Sequence, residues 1–137
     1  MTNKLFFVLI FFILIPIRVN SQDSNPIEKE LTDCMDKNPS TMGVLDCIDA
    51  AYQKWDDELN IYYKKLMEIL DEEGKTSLKN AQKKWIEFRD LEFKNIQNIY
   101  SFKEGTMYLP MQALDKMDIV KRRALELKDF FELLTER

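Results

Sequence analysis

Histidine does not occur anywhere in the chain, and its absence removes the most common general base and the most common metal ligand together. Nucleophilic triads built on an imidazole are excluded by the same gap. Only two cysteines are present, Cys34 and Cys47, and two thiols among acids interspersed with lysines do not make a closed zinc site. Glycine is equally scarce, at three residues. Gly74-Lys75-Thr76 resembles the end of a phosphate-binding loop, but the full motif places a glycine five positions before Gly74, where Ile69 stands. A basic excess is also missing: 20 Lys and Arg face 24 Asp and Glu, for a net charge of −4, so the chain lacks the positive surface that nucleic acid requires. Paired carboxylates can hydrolyse glycosides, but 24 acids spread along helices create accidental pairs without a catalytic arrangement. No catalytic, metal or cofactor-binding set emerges, and the reading is of a binding protein without chemistry of its own.

The first residues carry an export address. Lys4 supplies a positive start, and Leu5 to Ile17 form an uncharged apolar run of 13 residues broken only by Pro16. A bilayer-crossing helix needs about 20 apolar residues, whereas a run of this length followed by small residues fits a cleavable signal. Val19-Asn20-Ser21 provides the cleavage site, so residues 1–21 are expected to be a signal peptide and 22–137 a single helical domain with no lasting membrane insertion. Cleavage removes Lys4 and Arg18 and no acid, which leaves 18 basic and 24 acidic side chains. An acidic surface favours cationic partners and speeds encounter with them, without determining the fold. In an oxidising compartment Cys34 and Cys47 are expected to close one bridge, stabilising by roughly 3 kcal/mol for a loop of this size.

What fills the rest is helix-forming sequence, rich in Leu, Lys, Glu and Ala, with proline at boundaries. A short helix is expected from Pro26 to about Asp36, capped by Asn25 and ended by Asn38-Pro39-Ser40. From about Thr41 to Asp71, Leu45, Ile48, Tyr52, Trp55, Leu59, Tyr62, Leu66 and Ile69 are spaced alternately three and four apart, which puts all eight on one stripe. Such a helix is on the order of 45 Å long. Asp71 to Lys75 reads as a polar turn with Gly74 as the left-handed residue closing the helix. Leu78, Ala81, Trp85, Phe88, Ile96 and Ile99 mark a third helix over about Thr76 to Phe102, its stripe broken by Glu92. After a Lys103 to Thr106 loop, a fourth from about Pro110 presents Leu114, Met117, Val120, Ala124, Leu127, Phe131 and Leu134. The expected architecture is all-α: an elongated antiparallel bundle of three long helices, plus a short N-terminal helix tied by one disulfide.

Three local patterns draw attention within these helices. Trp85 and Arg89 lie four apart on one face, so the guanidinium can lie over the indole or reach a carboxylate on another helix. Asn60, a polar residue beside the stripe, is expected to bond a loop or a helix end. Charge pairs at i,i+4 are expected between Asp90 and Lys94 and between Asp118 and Arg122.

Taken in order, Cys34, Thr41 and Cys47, Leu59-Asn60 with Tyr63, Leu78 through Gln82-Lys83-Lys84-Trp85 to Arg89-Asp90, Gly105-Thr106, and Arg123-Ala124 with Leu127 resemble the N-terminal domain of the LprI-like lysozyme inhibitors. The resemblance implies a bacterial envelope protein, periplasmic or secreted, of helical fold, with lysozyme or another cationic envelope protein as partner. It departs from the family pattern at Phe93, where a cysteine often stands, and the mate of that cysteine is missing too. A second bridge is thus replaced by packing, and the lipid-attachment cysteine of some relatives is also lacking. If the function carries over, an acidic helical rod occludes the cleft of a cationic lysozyme. The loop from Lys103 to Pro110, with Thr106 and Tyr108, or the turn bearing Lys75, is expected to enter it. The alternative is an envelope interaction or stress module with another protein or a cell-wall fragment as partner, and the assembly state is left open.

Overall fold

The computed structural model describes residues 25–136, and the expected signal peptide over 1–21 lies outside them. Among the described residues there are four helices and no strand: α1 (Pro26–Lys37), α2 (Thr41–Ile69), α3 (Glu72–Tyr100) and α4 (Tyr108–Thr135). The first boundaries follow from local chemistry. The Asn25 side chain accepts from the Ile27 N–H at 2.9 Å, and Pro26 occupies the first helical position, where its missing donor leaves nothing unsatisfied. The Asn38 amide donates to the Cys34 carbonyl at 2.9 Å, closing α1, and the Ser40 hydroxyl accepts from Gly43 N–H at 3.0 Å to open α2. Cys34 and Cys47 are bridged, with Cα atoms 5.8 Å apart.

Gly74 departs from expectation. It does not close α2, which stops in extended backbone at Leu70. It sits in the first turn of α3, its N–H donating to Asp71 Oδ1 at 2.8 Å. The reason is local: the Asp71 side chain caps one of the four otherwise unpaired N–H groups of the first turn, and Glu72 and Glu73 add negative charge at the positive end of the helix. Helix α3 therefore begins four residues before Thr76 and ends at Tyr100, short of Phe102. The loop that follows contains the one positive φ among the described residues, Gly105 at 105°. Helix α4 starts at Tyr108, so Pro110 lies inside its first turn.

Packing is dominated by α2 against α4, with α1 on α2, while α3 leans mainly on α4 and meets α2 sparsely. Ile48, Trp55, Leu59 and Leu66 from α2 close over Met117, Val120, Ala124 and Leu127 from α4. Each Ile, Leu, Val and Met side chain among them, fully buried, contributes roughly 1.5–3 kcal/mol of transfer free energy. The partners rise together in number, Trp55 beside Lys121 and Tyr62 beside Phe131, so α2 and α4 run in the same direction. The largest interface is accordingly not between helices that follow each other in the chain. The stripes fail at their ends: Ile69 and Leu134 are exposed because no neighbouring helix covers them.

Glu28 fastens three helices at one point. One carboxylate oxygen accepts from the Trp55 indole N–H at 3.3 Å, and the other pairs with Lys121 Nζ at 2.9 Å. Lys54 and Glu30 pair on the surface between α1 and α2. By contrast, α3 buries only Gln82. Leu78, Trp85 and Ile96 of its apolar stripe are half-buried, and Ala81, Phe88 and Ile99 face solvent.

Candidate functional site

The polar centre of the molecule lies between α3 and α4. Arg123 is 8% exposed and Gln82 9%, and burying a guanidinium is tolerated only when its donors are met. Arg123 Nε donates to Gln82 Oε1 at 3.0 Å, and Nη1 donates to Glu126 Oε2 at 2.5 Å, one turn along its own helix. Gln82 thereby fixes the rotation of Arg123 from the opposite helix. Trp85, one turn from Gln82 on α3, is half-buried against the core. Trp85, Phe88, Ile119, Arg122, Arg123 and Glu126 line a cleft of ≈ 410 Å³.

Around this centre the motif residues take different roles. Arg89 places its guanidinium carbon 5.5 Å from the centre of the Trp85 ring and 5.8 Å from that of Phe93, a cation–π arrangement. Its carboxylate partner is not on another helix: Nε and Nη2 donate to Asp90 Oδ1 at 2.9 and 2.7 Å, on the adjacent residue. Asp90 is thus engaged by Arg89 and not by Lys94, whereas Asp118 and Arg122 pair as expected at 3.1 Å. Asn60 bonds neither a loop nor a helix end. Its amide donates to the Asp56 carbonyl at 2.8 Å and carboxylate at 3.1 Å within α2, because an exposed side chain on a helix finds its nearest acceptor one turn back. Asn60 and Tyr63 line a shallow groove with Gln82, and Leu59 is core.

Phe93, standing where the resemblance leads one to look for a cysteine, packs its ring 6.4 Å from that of Tyr52. Helix α3 is held to α2 there by an aromatic contact. Burial pushes the Tyr52 phenol up from its ordinary pKa, Arg89 opposes that, and the Asp56, Asp90 and Asp49 carboxylates add to it. The Tyr100 phenol is raised by donating to Asp115 at 2.7 Å, which favours its neutral form.

The three residues expected to meet a partner do not lie together. Thr106 is exposed and Tyr108 half-buried at the start of α4. Lys75 pairs with Glu72 at 2.9 Å at the start of α3. The 29-residue α3 separates these sites by roughly 40 Å at 1.5 Å per residue. Around the Gly105 loop, Phe102 is 86% exposed, with Ile99, Met107, Leu109 and Met111 also open to solvent. An apolar tip of this kind, missed when Phe102 is assigned to the third helix, is characteristic of an interaction surface.

A family model described as Lysozyme inhibitor LprI matches residues 34–127. No curated protein matches the chain. Among solved structures, the chain is similar to the crystal structure of an uncharacterized protein from Burkholderia thailandensis, with a TM-score of 0.74 and 26% identity. The similarity covers 80% of this chain and 54% of that one, so the chain spans about half the length of that solved structure.

Proposed function

The chain belongs to the Lysozyme inhibitor LprI family, and from that premise we propose that it is an exported protein that binds a lysozyme and occludes its substrate cleft, performing no catalysis itself. The family match over residues 34–127 carries this reading. Two physical features support it. The acidic excess, 24 Asp and Glu against 20 Lys and Arg in the whole chain and against fewer once Lys4 and Arg18 are removed, attracts a cationic enzyme and speeds encounter. The apolar tip around Phe102, Met107 and Leu109 offers side chains that a cleft can desolvate, which is where interface energy concentrates. The tip is the proposed insertion element, with Thr106 and Tyr108 beside it. Lys75, at the far end of α3 and engaged by Glu72, takes no part in the same contact. Among the described residues no helix is long and apolar enough to cross a membrane.

The test is a titration of the purified exported protein into lysozyme acting on labelled cell wall. Slowed lysis, relieved by Phe102→Ser, is the expected result. Unchanged lysis at excess protein would favour an envelope module with a different partner, and release of fragments without added lysozyme would make the protein an enzyme.

A further inference from the structure

We infer that the cleft between α3 and α4 is a binding site for an acidic amino sugar, a single saccharide unit bearing a carboxylate. Arg123 has five N–H donors, of which Nε is engaged by Gln82 and Nη1 by Glu126. Among the described residues no buried side-chain nitrogen or oxygen lacks a partner, so Nη2, which has no protein partner, is reached by solvent. Arg123 is itself one of the residues that line the cleft. A guanidinium held from two sides has lost its rotational freedom before any ligand arrives, which is the condition for firm recognition of a carboxylate.

The other walls match the rest of such a ligand. Arg122, with a 70% exposed side chain, pairs through Nε with Asp118 and keeps its terminal nitrogens for a second contact to the anion. Glu126, half-exposed, is an acceptor suited to a hydroxyl or acetamido N–H. Trp85, Phe88 and Ile119 supply the apolar surface that the C–H face of a sugar ring covers. Donors, acceptor and apolar wall thus line one cleft of ≈ 410 Å³, within the size range of small-molecule sites. The site is separate from the Gly105 loop, and its occupation neither requires nor uses inhibition of a lysozyme.

The probe is N-acetylmuramic acid, added to the full exported protein and followed by NMR at the Trp85 indole N–H and the Arg123 Nε–H. Saturable shifts at both are expected, with N-acetylglucosamine, which lacks the carboxylate, binding about tenfold more weakly, as the loss of a charge-assisted hydrogen bond dictates. Because Arg123 supports the fold, the variants are Arg122→Ala and Phe88→Ala, both at exposed side chains, and each weakens binding. Absence of saturable shifts, equal binding of the neutral sugar, or undiminished binding by both variants would overturn the assignment.

Discussion

Arg123 of α4 donates its Nε–H to Gln82 Oε1 of α3 at 3.0 Å, and these two are the buried polar side chains among the described residues. Helix α3 has little apolar burial of its own, so this bond, together with the Tyr52–Phe93 ring contact, sets its register on the α2–α4 pair. Gln82→Ala removes the acceptor and leaves a buried donor unmet, with an expected loss of about 2 kcal/mol. Arg123→Ala is expected to lose a similar amount, and the double variant less than the sum of the two. Chemical denaturation of the three variants measures the coupling directly, and strict additivity would show that the two residues act independently.

Reduction of the bridge between Cys34 and Cys47 removes the covalent tie between α1 and α2. The expected loss is about 3 kcal/mol, the chain-entropy value for a loop of this size. Leu31 and the Glu28–Lys121 pair still hold α1, so the Cys34→Ser and Cys47→Ser double variant is expected to melt lower and remain helical. Thermal unfolding followed by circular dichroism reads both quantities, and a double variant melting at the parent temperature would remove the bridge from the account.

Much of this architecture is legible in the sequence. Asn25, Pro26, Pro39 and Ser40 mark their boundaries through side-chain capping and fixed φ, which act over two or three residues and need no tertiary context. The α2 stripe identifies Ile48, Trp55, Leu59 and Leu66 as core. Periodicity reports which face is apolar, not how fully a neighbour covers it, and so the α3 stripe, with Phe88 and Ile99 exposed, looks like the α2 stripe in sequence. Gly74 is ambiguous in sequence because glycine serves both a helix end and a first turn. Asp71 followed by two glutamates was the signal that decided between them. The pairing of Gln82 with Arg123 was not legible, because two polar residues 41 positions apart carry no periodicity in common.

Alkaline stability depends on Tyr52. Its folded pKa is raised, first by burial, so the folded state holds the phenol proton where the unfolded chain has released it. The contribution is complete below the ordinary tyrosine range near pH 10 and is lost as pH rises through the folded value. Tyr100 is raised in the same direction by its bond to Asp115. Tyr52→Phe is therefore expected to flatten the fall in stability above pH 10, and melting temperatures from pH 8 to 11 check it. A parent and variant with parallel profiles would contradict the assignment.

Two glycines separate steric from conformational constraint. A Cβ at Gly43 meets the Asn38 Cβ and carbonyl oxygen at 2.8 Å, so Gly43→Ala forces the α1–α2 junction apart, at about 1–3 kcal/mol. A Cβ at Gly105 meets nothing within 4 Å, but its φ of 105° is one that other residues rarely adopt. Gly105→Ala is expected to lose about 1 kcal/mol or more and to displace the Phe102 and Met107 side chains. Denaturation midpoints, with inhibition measured alongside, separate the two effects: Gly43→Ala lowers stability and Gly105→Ala lowers both.

The most direct measurement of the central claim is competition for the lysozyme cleft. Binding of the exported protein to lysozyme is titrated calorimetrically with and without a saturating chitooligosaccharide in the enzyme's substrate groove. Occlusion requires that the two exclude each other, so the apparent affinity falls in proportion to oligosaccharide occupancy, and Phe102→Ser weakens binding in its absence. A ternary complex formed at undiminished affinity would contradict the account.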